Sequence, residues 1–118
     1  MNLQECYEAM GGSYDEACSR LMNDAFIERF ILKFPADPSM QELLGAVEAN
    51  DIETSFRAAH TLKGVAANLA FTKLANSASD LTEQLRPCAD PADQQLLDAV
   101  KADYKAVIEV LEAYQAAK

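Results

Sequence analysis

The 118-residue chain has no tryptophan, a single histidine, three cysteines, four glycines and four prolines. Each shortage closes off a class of chemistry. One imidazole without a C-x-x-C pair leaves no ligand set for a zinc ion. Cys6, Cys18 and Cys88 are odd in number and widely spaced, which fits reduced thiols in a reducing cytosol and not a disulfide frame. There is no P-loop, no Gly-rich dinucleotide turn and no G-x-S-x-G elbow. No apolar run approaches the length of a membrane span, and no charged-then-apolar leader opens the chain. A cytoplasmic protein, or the cytoplasmic module of something larger, is the expectation, with no membrane partner. Basic residues are also scarce: 10 Lys and Arg stand against 19 Asp and Glu, a net charge of -9. Without a basic stripe to neutralise phosphates, nucleic acid is not an expected partner.

What remains is abundant apolar sequence in helical register. Half of the residues are hydrophobic, too many and too regularly placed for disorder. Asn2 to Met10 predicts a short helix stopped by Gly11-Gly12, and Ser13 with Glu16 predicts a capping box for the next. Asn23 caps a segment that places Phe26, Ile27, Phe30, Ile31 and Phe34 on one face before Pro35 and Pro38. Ser39 and Glu42 predict a second capping box ahead of Met40, Leu43, Leu44 and Val47. Asp51 opens a long helix reaching about Ala70. Its partner runs from about Thr72 to Arg86, with Leu74, Ala78, Leu81 and Leu85 apolar. The link at Ala70-Phe71 is too short for anything but an antiparallel helical hairpin. Asp90-Pro91 predicts an N-cap followed by proline at the first helical position. The last helix then carries Leu96, Leu97, Val100, Tyr104, Val107, Ile108, Leu111 and Tyr114. No stretch alternates with period two. The expected fold is all-α: one domain over residues 1–118, an antiparallel four-helix bundle with short additional N-terminal helices packed on it.

The one histidine, His60, sits in the middle of the Asp51 helix. A 3.6-residue wheel puts Ala58, Leu62, Val65, Ala66 and Leu69 on the apolar face and points His60 almost directly away from it. One and two turns along lie Phe56, Arg57, Lys63, Gly64 and Ala67. Thr54 to Ser79 contains no acid at all, yet holds Arg57, Lys63 and Lys73. An alanine-rich packed segment has little room for charge in any case, and a lone helical histidine is commonly just solvated. Gly64 is harder to set aside. A glycine inside a helix costs about 1 kcal/mol relative to alanine, so a steric reason is expected.

An exposed imidazole is a nucleophile when neutral, and a phosphorus–nitrogen bond formed on it is labile enough to be handed on. Lys63 at +3 and Arg57 at -3 are spaced to stabilise phosphoryl oxygens. Gly64 and Ala67 keep bulk from the approach, and Phe56 offers an apolar anchor for a docking partner.

Ala59-His60-Thr61-Leu62-Lys63-Gly64-Val65-Ala66-Ala67-Asn68-Leu69 resembles the phosphorylation-site helix of histidine-containing phosphotransfer (HPt) domains. That family's pattern is an A-H-x-L-K-G core, small residues, then Leu-Gly. The likeness extends from the N-terminal helices through Leu74 to Glu83, and Ala70 departs from it where the family usually has glycine. The resemblance implies a four-helix bundle with an exposed phosphohistidine, serving a phosphorelay that moves phosphoryl groups between aspartates of receiver domains. His60 would be the phosphoacceptor and Lys63 the charge steadying the phosphoryl group. Phe56, Arg57, Gly64, Ala67 and Asn68 would face the partner, with Gly64 giving clearance. The partner would be a response-regulator receiver domain, free or within a hybrid histidine kinase, and it would bring its own aspartate and Mg²⁺. No cofactor and no autonomous kinase or hydrolase activity is then expected on this chain. Apolar stripes sufficient for one bundle, with a net charge of -9, predict a monomer. Two other readings stay open. One is the dimerisation and phosphoacceptor region of a histidine kinase, which typically pairs its histidine with an adjacent acid where Thr61 stands here. The other is a helical scaffold with an inert histidine.

Overall fold

The computed structural model describes residues 1–117. Among them are seven α-helices, one 3-10 turn and no strand: α1 (Leu3–Met10), α2 (Tyr14–Leu21), α3 (Asp24–Lys33), the turn Phe34–Ala36, α4 (Ser39–Glu48), α5 (Ile52–Asn68), α6 (Thr72–Leu85) and α7 (Gln94–Ala116). The expected all-α class is what the chain adopts. None of these helices is long and apolar enough to cross a membrane.

Helix starts follow local side-chain chemistry. In the capping box of α1, the Glu5 amide donates to Asn2 Oδ1 at 2.8 Å and the Asn2 amide donates to Glu5 Oε1 at 2.9 Å. Asn23 caps α3 and Asp51 caps α5, each accepting from the amide three residues on. Such caps contribute about 1 kcal/mol apiece. At α2 only half of the expected box forms. Ser13 Oγ accepts from the Glu16 amide, but the Ser13 amide already donates to the Ala70 carbonyl at 3.0 Å and is not free for Glu16.

Two predicted starts are displaced. Ser39 does not cap α4; it lies buried inside the first turn, and its amide donates to Asp37 Oδ1 at 2.9 Å. Asp90-Pro91 does not open α7 either. The Gln84 amide group donates to the Pro91 carbonyl at 3.0 Å while its oxygen accepts from the Asp93 amide at 2.9 Å. That pair of bonds holds residues 91–93 in an extended link, and Asp93 becomes the cap, accepting from Leu96.

The long helices α4 to α7 pack in chain order, α4 on α5, α5 on α6 and α6 on α7, and α1 closes against α7. The inner face of α5 is Ser55, Ala58, Ala59, Leu62 and Ala66, with Leu69 just beyond. It is rotated slightly from the predicted face: Ala59 is fully buried and Val65 only half so. Small side chains let α5 lie close between α4 and α6, since helix spacing follows the size of the residues at the contact. On α3, Ile27, Ile31 and the following Phe34 are buried as predicted, but Phe26 and Phe30 stay 43% and 41% exposed. The helices packed most against α3 are α2 and α7, and Phe30 borders an open groove with Val65, Asn68 and Leu69 at the end of α5.

The α5–α6 turn is short and firmly held. Ala70 is left-handed at φ 60° and buried, so the chain keeps the backbone conformation that glycine favours while carrying a methyl group. The cost, about 1–2 kcal/mol for an L residue, is offset by what surrounds it. The Tyr7 hydroxyl donates to the Leu69 carbonyl at 2.8 Å, and the Lys73 amide donates to the Gly11 carbonyl at 3.0 Å. Phe71 packs with Tyr7 and Phe34 at ring-centroid distances of 5.9 and 5.2 Å.

Gly12 is part of this clamp, because a Cβ there would lie 2.5 Å from the Ala70 carbonyl oxygen and 2.8 Å from Tyr7 Cδ1. Neither neighbour can yield: one is backbone held by Ser13, the other a fully buried ring. Gly12→Ala is expected to destabilise the fold by about 2–3 kcal/mol, at the upper end for overpacking. Urea denaturation checks this; an unchanged midpoint would contradict the clamp.

Candidate functional site

Burial of Ala58, Ala59 and Leu62 fixes the rotation of α5 and turns His60 outward, where it is exposed. Phe56, one turn earlier, is half-buried and lies nearly parallel to the imidazole, at a centroid distance of 6.1 Å and an interplanar angle of 21°. Lys63, one turn later, is half-buried along its stem. Gly64 is exposed, and a Cβ there would meet nothing within 4 Å. Ala67 is half-buried with its carbonyl accepting a hydrogen bond from the Arg20 guanidinium of α2, and Asn68 is exposed in the last turn. His60, Phe56, Lys63 and Gly64 therefore share one open face of α5, and Ala67 and Asn68 continue it towards α2.

Arg57 sits differently from its expected place. Its Nη2 donates to Thr54 Oγ1 at 3.3 Å, and Thr54 Oγ1 donates in turn to Asp51 Oδ2 at 2.7 Å. The guanidinium thus leans towards the N-terminus of α5 and away from Lys63. Asp51 is held below the usual carboxylate range, first by the Thr54 hydroxyl and then by the Thr54 amide. Thr61, next to the histidine, turns its hydroxyl back onto the Arg57 carbonyl at 2.9 Å, the usual way a helical threonine satisfies itself.

Two residues at the C-terminal end of α6, Glu83 in its last turn and Arg86 at its cap, belong to this face although their sequence neighbourhood gave no hint of it. Glu83 and Arg86 form a bidentate pair, Arg86 Nε and Nη2 donating to the two carboxylate oxygens at 2.8 and 2.9 Å. The Arg86 Cζ also stands 5.4 Å from the centre of the Phe56 ring. The Glu83 carboxyl is held low, chiefly by its hydrogen bonds to Arg86, with smaller contributions from the charges of Lys63 and His60. Helix α5 has no acid near its histidine, but the folded site does. The signal that would have found it is register: equal counting in both directions from the Ala70-Phe71 turn brings Leu81 to Leu85 alongside Phe56 to His60.

An exposed imidazole, a cation on the same face and a bare glycine ahead of it leave the ring open to approach from solvent. The family model of the Hpt domain matches residues 27–115. The chain belongs to the Hpt domain family. Hpt domains are helical bundles that carry out histidine phosphotransfer in two-component phosphorelay signalling, working with receiver domains of response regulators. In this Hpt domain the match opens at Ile27, within α3, so the likeness seen in the sequence is carried by α3 to α7 while α1 and α2 lie outside it. No characterised protein and no solved structure matches the chain at significant similarity.

Proposed function

We propose that His60 is the phosphoacceptor of this Hpt domain and that it exchanges a phosphoryl group with the aspartate of a response-regulator receiver domain. The observation that carries the reading is the exposed His60 ring with Gly64 open on the same face one turn away. In the forward step a lone pair of the neutral imidazole attacks phosphorus. The phosphorus–nitrogen bond forms as the phosphorus–oxygen bond to the receiver's aspartate breaks, and the electron pair leaves on the carboxylate. The proton on the second ring nitrogen stays in place. The receiver brings the carboxylate and Mg²⁺, so this chain contributes an orienting surface and charge but no cofactor. Lys63 steadies the phosphoryl oxygens, and Phe56, Gly64, Ala67 and Asn68 meet the partner, with Arg57 at the margin.

The kinase-type alternative needs an acid beside the histidine, and Thr61 instead spends its hydroxyl on the backbone. A cytoplasmic monomer follows from this reading, and light scattering separates it from a dimerisation region. The decisive assay offers the domain a receiver charged with acetyl phosphate. Lys63→Ala is expected to slow transfer roughly five- to tenfold, the worth of about 1 kcal/mol between screened charges strengthened as docking excludes water. Its circular dichroism and melting temperature should stay at parental values. Unaltered kinetics would reduce Lys63 to a solvated charge.

A further inference from the structure

Arg86, Phe56 and His60 stand in series. The guanidinium is 5.4 Å from the Phe56 ring centre, and that centre is 6.1 Å from the imidazole. On its other side Arg86 is engaged by Glu83 through both carboxylate oxygens. The pair is half exposed on each side, 50% and 55%, and an exposed pair of this kind is held only weakly against solvent. It is therefore easily exchanged for a stronger anion. A phosphoryl group carries about 1.5 to 2 negative charges and three acceptor oxygens, and it competes for a guanidinium better than a single carboxylate does.

Resting on the reading of His60 given above, we propose that Glu83 and Arg86 form an exchange pair that sets how long His60 keeps its phosphoryl group. While the ring is bare, Glu83 occupies Arg86 and neutralises it. Once the ring is loaded, the phosphoryl oxygens draw Arg86 away, and Glu83, left facing a new anion, opposes the loaded state. Glu83 also lies where the charges of Lys63 and His60 act on it. The carboxylate thus weakens retention in a site otherwise lined by cations, which favours onward transfer. Arg86 holds the phosphoryl oxygens directly, and Glu83 tunes that hold.

The test uses the whole 118-residue chain, phosphorylated with phosphoramidate so that no partner protein enters. Decay of phosphohistidine is followed by phosphorus NMR. Glu83→Gln is expected to lengthen the half-life roughly three- to tenfold at low salt. That gain should shrink in about 1 M salt, where charges are screened beyond about 3 Å. Arg86→Ala should shorten the half-life, and Glu83→Gln placed on Arg86→Ala should bring only part of the gain it brings to the parent. Circular dichroism and melting curves of all variants should overlay, because the pair is exposed. A Glu83→Gln protein that decays at the parental rate overturns the proposal, as does a gain that survives intact without Arg86. A parent that takes no label at all sinks the reading of His60 instead. A labelled parent whose decay ignores Glu83 sinks only the exchange pair.

Discussion

Gly64→Gln is expected to fold at least as well as the parent yet transfer phosphate about a hundredfold more slowly. The stability half rests on space and backbone. A Cβ at this position meets nothing within 4 Å, the residue is exposed, and it lies in the interior of α5. Replacing glycine there removes a helix penalty of up to about 1 kcal/mol and introduces no clash. The kinetic half rests on the other molecule. Position 64 shares a face with His60, so a glutamine projects into the volume that a receiver must fill. In-line transfer needs the reacting atoms about 3–3.5 Å apart, and a displacement near 1 Å costs on the order of a hundredfold. Gly45 on α4 supplies the control, since it is also exposed and its Cβ would also meet nothing within 4 Å. Gly45→Gln should gain the same stability and transfer at the parental rate. Thermal melts and single-turnover transfer with a charged receiver check both variants. Parental transfer by Gly64→Gln would remove its clearance role, and unfolding would show that the position is packed.

The contrast with Gly12 shows what one sequence conveys and what it withholds. Both glycines are visible, and a helix-interior glycine already asks for a reason, so Gly64 stood out. Gly12 looked like half of a helix stop, because its reason is a carbonyl of Ala70 far along the chain. The same division runs through the molecule. Asn23 and Asp51 were legible as helix starts because a cap bonds only three residues onward. Asp93 was not, because Gln84 on another helix decides where α7 starts. Ser39 failed for a local reason instead, Asp37 two residues before it taking its amide. The apolar period gave the buried stripe of α6 and the centre of that of α7, and came within a slight rotation of the one on α5. It could not say that the flank of α3 bearing Phe26 and Phe30 would lack a cover, since that depends on which helices arrive beside it.

At the site, the divide falls between the two helices. Much of the α5 side was legible from spacing alone: an outward His60, Lys63 one turn on, the exposed Gly64 and Phe56 one turn before. Arg57 was placed correctly on the helix, but its contact with Thr54 turns the guanidinium away from Lys63. Glu83 and Arg86 reach the site only through the hairpin, and composition near His60 had suggested a surface free of acid. Ala70 is the remaining departure. A residue that should resist a left-handed turn is held there by Tyr7, Ser13 and Phe71, contacts that no local pattern announces.

The central claim is that His60 carries the phosphoryl group, and loss of its ring has the largest effect expected of any substitution. His60 is the chain's one histidine, so acid-labile, base-stable label that disappears in His60→Gln is phosphohistidine at that position. Its ring is exposed, which makes His60→Gln harmless to the core; the helix should keep its circular dichroism and melting temperature. The measurement is incubation of parent and His60→Gln with a receiver charged by acetyl phosphate, followed by parallel acid and base treatment of the labelled chain. The account predicts acid-labile, base-stable label on the parent and none on the folded variant. Equal labelling of the two proteins would contradict it.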